Sequence, residues 1–351
     1  MANTSETEAI FSSTGSLGVS RRQYDRLYVN ATRYSDDFEE VARNTRRVSN
    51  LVEAYPQRIS RGVLRGVVSR QVMDGISCNG LNDVLEVALP LKEFTGDDSH
   101  LIYLSRNAQG RTQIVPIHEM IGLTSGEVTK GRTPVERVEK VLNSGLALTK
   151  VISEDQIDQL HSLWSPTFGW EYHEVEALQK RVSSAQNLPP EKKSERDVWF
   201  AAITDNGTIV SAAMAERLPI PGNGQVVDLI ESTEWKTREE YSGQGLMTAT
   251  LALLNAQVLA DLRGNSGKIP LVYAECNFQS RSDRAGIGAG FRIPDRNHAP
   301  QILVQNVLVN DGQDIPEGKL RDFTFMYLPI GIIEDSYHPS QTEAIIQAVR
   351  A

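Results

Sequence analysis

The spacing of apolar positions predicts helices and strands less clearly in the first half of the chain than in the second. Between residues 37 and 55 apolar side chains recur every three or four positions, which predicts a helix capped by Ser35 or Asp36. Residues 58–73 have a similar spacing and predict a second helix, while residues 84–89 predict a strand. The first half is therefore expected to mix helices with strands.

Turn signals in the first half of the chain predict a β-hairpin and the end of the first domain. The apolar runs 101–104 and 112–115 flank the glycine-terminated segment 107–110, which predicts a β-hairpin. A short amphipathic helix follows the polar stretch 125–133, and Asn-Ser-Gly at 143–145 ends it. The predicted division is a flexible tail over 1–19, a domain over 20–145, a second domain over 146–330 and a C-terminal helical tail over 331–351.

The second half alternates strand and helix patterns more regularly. Its turn at residues 205–207, Asp-Asn-Gly, is a strong signal for a two-residue hairpin. The predicted elements are a strand at 146–152, a helix capped by Ser153, a helix at 171–185, a polar loop at 187–196, strands at 198–204, 209–216 and 226–235, a helix at 243–262, a strand at 269–276, a helix at 279–285, strands at 301–309 and 320–328, and a helix at 342–349.

The connection between the strand at 226–235 and the long helix after it contains Gly243 and Gly245. A tight turn into a helix N-terminus leaves several backbone N–H groups unpaired, and the helix dipole adds positive potential there. Glycine lets a ligand approach the backbone without a Cβ in the way. The turn is therefore a candidate site for a phosphate-bearing ligand, although such a turn is often only a tight connection.

Composition excludes some classes of function. The 351 residues carry a net charge of −9, which argues against a general nucleic-acid binder, and the arginines of the first half are interspersed with acids as on a solvated helix face. The two cysteines, Cys78 and Cys276, lie far apart, and the six histidines show no metal-ligand spacing, so no metal is expected. Without an apolar run of membrane length or a secretion signal, the protein is expected to be cytoplasmic.

Residues 146–330 resemble the GNAT acyltransferase superfamily in the order of their predicted elements. The most specific match is the turn, Glu240-Tyr241 followed by Ser242-Gly243-Gln244-Gly245-Leu246-Met247. It keeps the central glycine but lacks the basic first residue of the family pattern and has Met247 at the last small position. A second match places Asn277 at the end of a strand, with Gly290-Phe291 downstream, and residues 231–237 faintly resemble the β-lysine N-acetyltransferases.

The resemblance implies a fold, a reaction and a set of site residues. The implied fold class is α/β (α+β), a GNAT-type mixed, mostly antiparallel sheet flanked by helices, here with an additional N-terminal mixed α/β domain. The implied activity is transfer of an acetyl or other acyl group from acetyl-CoA, used as a co-substrate without a metal, to a small-molecule primary amine. The implied CoA-binding residues are Lys236, Thr237, Arg238, Ser242, Gly243, Gln244, Gly245, Leu246, Met247, Thr248, Asn277 and Arg281.

Glu231 and Glu234 are the candidates for the catalytic base that accepts the amine's proton. Residues three apart in an unbroken strand point to opposite faces, so a β-bulge would be needed to bring both to one face. If only one faces the cleft, its closeness to Lys236 and Thr237 favours Glu234. The family often places a tyrosine general acid in the helix after Asn277, and none occurs here, so Ser280, Ser282, Tyr327 or solvent remain open as the proton donor.

Each assignment has a plainer alternative. Both glutamates could be solvated strand residues, and Asn277 could be a helix N-cap. The aromatic residues Trp164, Phe168, Trp170 and Tyr172 could line the acceptor site but are more often core residues. The missing basic residue and tyrosine also fit a non-catalytic CoA-sensing or protein-interaction module on the same fold. The first 145 residues could be a regulatory domain or could complete the acceptor pocket.

Overall fold

The computed structural model describes residues 17–23, 26–55, 59, 61–81, 83–107, 133–149, 153–168, 175–186, 188–263, 270–277, 282–294, 303–308 and 320–349. Within these residues the chain forms two sheets that pack against each other and are flanked by helices. Several predictions fall outside the described residues, namely most of the N-terminal tail, the second hairpin strand at 112–115, Ser280 and Arg281.

The first sheet has five strands in the order β1-β2-β3-β5-β4. Its pairs are antiparallel except for β2 with β3, which are parallel. The strands are β1 (Leu17–Gln23), β2 (Arg26–Ala31), β3 (Arg61–Ser69), β4 (Leu85–Pro90) and β5 (Ser99–Asn107), and the helices among them are α1 (Phe38–Ala54), α2 (Arg70–Cys78) and α3 (Lys92–Thr95). The strands β1 and β2 were not expected from the sequence, and β1 begins inside the stretch predicted to be a tail.

Two sequence predictions in this half are wrong. The helix predicted over 58–73 is the strand β3 followed by α2, because residues 61–68 are buried on both faces of a central strand and so lack the alternation of a half-buried strand. The cap of α1 is Asp37, whose side chain accepts a hydrogen bond from the Glu39 amide. Ser35, one of the predicted caps, instead accepts from the Asp37 amide.

The two faces of β3 carry different chemistry. Gly62 faces α1, and a Cβ added there would lie only 2.7 Å from Val48 and 2.8 Å from Val52. The helix therefore lies directly on the strand backbone at this point. Residues of the opposite face, Val63 and Val67, pack toward the second sheet, and Arg65 shares that face because it lies two residues from each.

The second sheet has seven strands in the order β11-β12-β10-β9-β8-β7-β6. Every pair is antiparallel except β9 with β10. Its strands are β6 (Ala147–Thr149), β7 (Val198–Asp205), β8 (Thr208–Pro221), β9 (Val226–Thr237), β10 (Leu271–Asn277), β11 (Leu303–Leu308) and β12 (Leu320–Tyr327). The helices are α4 (Pro134–Asn143), α5 (Ile157–Phe168), α6 (Val175–Gln186), α7 (Leu246–Arg263), α8 (Ser282–Gly288), α9 (Ile330–Ser336) and α10 (Pro339–Gln347).

The long helix α7 is buried on one face of the second sheet. The core on this face takes in α7, the inward side chains of β7–β10 and apolar residues of α4, α9 and α10. The C-terminal segment is thus packed into the protein, with Tyr337 fully buried and donating to the Ala289 carbonyl. On the opposite face, α5 and α6 cover Phe200, Ala212 and Met214.

The rest of that opposite face packs against the first sheet. One hydrophobic cluster contains Val63, Val67 and Tyr103 from the first sheet together with Leu229, Tyr273 and other residues from the second. We call this cluster the inter-sheet seam. The two halves of the chain therefore share a core, and the predicted domain boundaries stay a prediction.

The fold class predicted from the sequence is confirmed. The second sheet is mixed and mostly antiparallel, is flanked by helices, and is preceded by a further mixed α/β region. The predicted hairpin turns at Asn206 and Gly207, both with positive φ. In the described part of the chain, no helix combines the length and the apolar character that crossing a bilayer requires.

Candidate functional site: a cleft between two strands

Strands β9 and β10 lie side by side at their start and then separate. Their parallel pairing covers Leu229–Glu231 and Leu271–Tyr273 and ends at the pair Glu231 and Tyr273. Beyond that point β10 continues to pair with β12, and β9 continues to pair with β8. A cleft therefore opens between the ends of the two strands, with Glu231 and Tyr273 at its base.

The glycine turn follows the end of β9 and leads into α7. Gly243 and Gly245 have φ values of +78° and +82°, which only glycine adopts readily, and a Cβ at either position would meet open space. Residues 242–245 are exposed. Among the described residues, none accepts a hydrogen bond from the backbone amides of 243–248, whereas the Ala249 amide donates to the Gly245 carbonyl.

These amides form an anion-binding arrangement. Six consecutive N–H groups that have no partner among the described residues lie at the N-terminus of an 18-residue helix, where the dipole favours negative charge. The first turn of α7 carries no acidic residue that would compete with an anion. The groups present therefore fit a diphosphate, and the backbone has to supply most of the binding.

The turn is fixed to the β7–β8 hairpin by polar contacts. The Tyr241 hydroxyl donates to Asp205 over 2.6 Å, and this hydrogen bond raises the pKa of Tyr241 above its ordinary value. The Arg238 guanidinium donates to the Ile209 carbonyl over 2.7 Å. Because both contacts hold the segment before Gly243, the turn has a defined position relative to the sheet.

A β-bulge interrupts β9 close to the cleft. Opposite the single residue Ala213 of β8, β9 has two residues, Glu234 and Trp235, and Glu234 has a φ of +56°. A bulge leaves a residue out of the strand ladder and reorients the side chains around it. A positive φ at a residue other than glycine is strained, and such strain is often found at functional sites. The bulge anticipated from the resemblance is therefore present, at Glu234.

The two candidate bases have different surroundings. Glu234 is buried and accepts a hydrogen bond from the Thr233 hydroxyl over 2.6 Å. Glu231 lies at the base of the cleft with its side chain 15% exposed, and it accepts a hydrogen bond from the Tyr273 hydroxyl over 3.2 Å. Thr233 is two residues from Glu231 and lies on the same face of β9.

Other predicted binding residues lie around the turn in different roles. Thr237 hydrogen-bonds to Ser211, which in turn hydrogen-bonds to Thr250 of α7, so this hydroxyl joins β9 to the helix. Leu246 and Thr248 are buried, while Lys236 and Met247 are partly exposed. Asn277 ends β10 as predicted, but its side chain and Arg281 lie outside what the structure describes.

Sequence reasoning missed the contribution of β3 to this site. The Arg65 guanidinium donates to the Tyr273 hydroxyl over 3.1 Å and lies 4.0 Å from the Glu231 carboxylate. Burial raises the pKa of Tyr273 well above its ordinary value, and the charge of Glu231 adds to this, so the hydroxyl remains a donor. Because 58–73 was predicted to be a helix, no signal in the sequence indicated that Arg65 faces another strand.

Two further predictions concern residues away from the carboxylates. Trp164 is fully buried and stacks on Phe200 with ring centroids 6.2 Å apart, so it is a core residue, as the plainer alternative held. Trp170 and Tyr172 lie outside the described residues.

The Cys276 thiol is buried, and burial followed by the charge of Asp283 raises its pKa well above the ordinary value. In the described part of the chain, no three His, Cys, Asp or Glu side chains group as metal ligands would.

Comparison with known proteins gives matches to solved structures alone. No family model matches the chain, and no curated protein matches it. A probable N-acyltransferase of unknown function from Enterococcus faecalis is 15% identical over 42% of this chain, with a TM-score of 0.29, and the chain spans 32% of that protein. A GNAT-family acetyltransferase from Streptococcus pneumoniae is 12% identical over 52% of this chain and 98% of its own, with a TM-score of 0.37.

A third match is the PaiA N-acetyltransferase from Thermoplasma acidophilum, solved in complex with coenzyme A. It is 14% identical over 52% of this chain and 99% of its own, with a TM-score of 0.33. The predicted resemblance to the GNAT superfamily is confirmed as a fold: the second sheet has the implied element order, the glycine turn after β9 and the separation of β9 from β10.

Proposed function

We propose that this protein transfers an acyl group from acyl-CoA to a primary amine by direct attack, without a covalent enzyme intermediate. The observation that carries the proposal is the cleft that opens after Glu231 and Tyr273, together with the turn after the same strand, whose amides have no partner in the described part of the chain. In this arrangement the turn binds the diphosphate of the carrier, and the cleft receives its thioester end. A cytoplasmic location remains part of the proposal.

The reaction needs a base close to the thioester. An alkylamine is mostly protonated at neutral pH and cannot attack until it loses a proton. The sequence favoured Glu234, but we assign the role of base to Glu231, because Glu231 lies where the strands part and its carboxylate is partly open to solvent, whereas Glu234 is buried. Glu231 accepts the proton from the ammonium group, directly or through water.

The remaining steps use the same region. The amine nitrogen forms a bond to the thioester carbon and the C–S bond breaks. The nitrogen then loses its surplus proton to give the neutral amide, and the leaving thiolate takes up one proton, so the protons balance. Negative charge that develops on the carbonyl oxygen needs a hydrogen-bond donor. The bulge at Glu234 leaves a residue out of the strand ladder, and in this proposal the backbone N–H freed there is that donor. The buried Cys276 has no role as nucleophile, because its raised pKa keeps the thiol protonated.

The proposal is tested by binding and turnover measured on the same protein. Calorimetric titration with acetyl-CoA is expected to show binding, and incubation with acetyl-CoA and a panel of primary amines is expected to release thiol. Glu231→Gln is expected to lower kcat by about 100-fold or more while leaving acetyl-CoA affinity unchanged. Glu234→Gln is the matched control, since it removes the same charge three residues away.

The possible outcomes separate the two functions considered for this fold. Absence of binding at millimolar acetyl-CoA would refute the proposal. Binding without thiol release from any amine, unaffected by a Glu231→Ala/Glu234→Ala double variant, would favour a non-catalytic CoA-sensing module. A larger loss of kcat in Glu234→Gln than in Glu231→Gln would exchange the roles of the two glutamates.

A further inference from the structure

The seam between the two sheets contains a buried charge that comes from the first sheet. Arg65 of β3 is 1% exposed. Its guanidinium lies 4.7 Å from the centre of the Tyr28 ring and donates to Asn30 and to the Tyr273 hydroxyl. A guanidinium removed from water needs a compensating negative charge close by. Glu231, 4.0 Å away, provides one from the second sheet.

Tyr273 connects the arginine to the carboxylate. Its hydroxyl accepts a hydrogen bond from Arg65 over 3.1 Å and donates one to Glu231 over 3.2 Å. Its ring is stacked on Phe325 with centroids 5.3 Å apart and is met edge-on by Tyr103. The hydroxyl is therefore fixed by packing, and it holds the carboxylate at the base of the cleft.

Other charged groups surround Glu231 and make this support necessary. Glu216 lies directly opposite Glu231 on β8, and like charges in that position repel each other. Arg181 of α6 pairs with Glu216 over 2.9 Å. On β10, Glu275 lies two residues beyond Tyr273 and on the same face. Arg65 is the cation that the described contacts place beside Glu231 itself.

We propose that Arg65 and Tyr273 are positioning residues that hold the Glu231 carboxylate and stabilise its negative charge, so that the first sheet completes the catalytic centre of the second. This inference rests on the proposed function, because it assigns Glu231 its task as base. It also gives the first half of the chain a role in turnover. Neither residue has to touch the amine or the thioester.

The test compares two tyrosines of the same seam. Tyr273→Phe removes the hydroxyl between Arg65 and Glu231 and keeps the ring. Tyr103→Phe is the matched control: Tyr103 is equally buried in the same cluster, and no described hydrogen bond joins its hydroxyl to Glu231. For each variant, kcat, KM for the amine, acetyl-CoA affinity and the pH dependence of kcat/KM are measured, with thermal melting to confirm the fold.

We expect Tyr273→Phe to lower kcat by about tenfold, to leave acetyl-CoA affinity unchanged, and to move the acidic side of the activity profile to higher pH. Tyr103→Phe is expected to stay within about twofold of the wild type in every respect. In a second pair, Arg65→Lys keeps the positive charge and is expected to retain more activity than Arg65→Met, which lacks it.

Failure of this inference is distinguishable from failure of the proposed function. An active wild type in which Tyr273→Phe behaves like Tyr103→Phe refutes the positioning role alone. Equal activity of Arg65→Lys and Arg65→Met in folded protein refutes the role of the charge. A wild type that binds acetyl-CoA but acylates no amine refutes the proposed function, and the assignment to Glu231 with it.

Discussion

At the scale of single residues, the protein combines groups that are costly to bury with groups that fix them in place. Arg65 is removed from water but lies against two tyrosine rings and a carboxylate. Glu234 adopts a left-handed backbone conformation that strains a residue other than glycine, at a cost on the order of 1 kcal/mol. Glu234 lies on β9, and Arg65 lies beside Glu231 of the same strand. The strained residue and the buried charge are therefore both close to the cleft where the chemistry is proposed.

The two cysteines differ in a way that can be measured. Cys78 is exposed, whereas Cys276 is buried and its pKa is raised well above the ordinary thiol value by burial and by Asp283. A raised pKa keeps the thiol protonated and unreactive at pH values below it. At pH 8 we expect an aromatic disulfide reagent to modify one thiol rapidly in the native protein and both after denaturation.

Cys78→Ser supplies the control for this measurement, because it removes the rapid phase and leaves the slow one. Equal reaction rates for the two thiols would contradict the burial of Cys276. An acylated Cys276 found after incubation with acetyl-CoA would contradict direct transfer as well.

At the scale of elements, the unit formed by β9, the glycine turn and α7 determines where a carrier can bind. Gly245 has a φ of +82° and open space where a Cβ would be. Gly245→Ala therefore adds backbone strain of about 1 kcal/mol and places a methyl group where a diphosphate would approach. We expect the variant to bind acetyl-CoA at least tenfold more weakly, measured by calorimetry.

Gly224→Ala is the matched control for the turn. Gly224 also has a positive φ, +69°, and open space around it, but it lies in the connection before β9, away from the amides. Its substitution should cost similar stability and leave acetyl-CoA affinity unchanged. Equal loss of affinity in both variants would show that the effect comes from general destabilisation.

Prediction from the sequence succeeded where local signals decide the structure. The β7–β8 hairpin follows from Asp-Asn-Gly, and α7 follows from the glycine turn and the long apolar run after it. It failed at β3, because an apolar stretch buried on both faces has no strand alternation and matches helical spacing by chance. The candidate bases could be named from the sequence, but their distance from Arg65 could not, since it depends on the packing of two sheets.

At the scale of the whole molecule, the inter-sheet seam makes the two halves depend on each other. Leu229, Leu271 and Phe325 of the second sheet are fully buried in a cluster shared with the first. A fragment starting at residue 146 would expose this apolar face, and exposed patches of this kind cause aggregation. We expect the fragment to be insoluble.

Unfolding of the full chain provides the complementary measurement. Because the halves share a core, we expect denaturant unfolding followed by far-UV circular dichroism and by tryptophan fluorescence to give coincident single transitions. A soluble, folded fragment that binds acetyl-CoA, or two separate transitions in the full chain, would instead show that the predicted boundary near residue 145 divides independent domains.

The close contact between Gly62 and α1 has a mechanical consequence. Three residues further along the same strand, Arg65 faces the opposite way, toward Glu231. A strand supported by a helix directly against its backbone has little freedom to shift sideways, so a side chain added at position 62 would push Val48 and Val52 outward or displace the strand itself. Helix α1 therefore limits how far the Arg65 guanidinium can move relative to the Glu231 carboxylate on the other face of the strand.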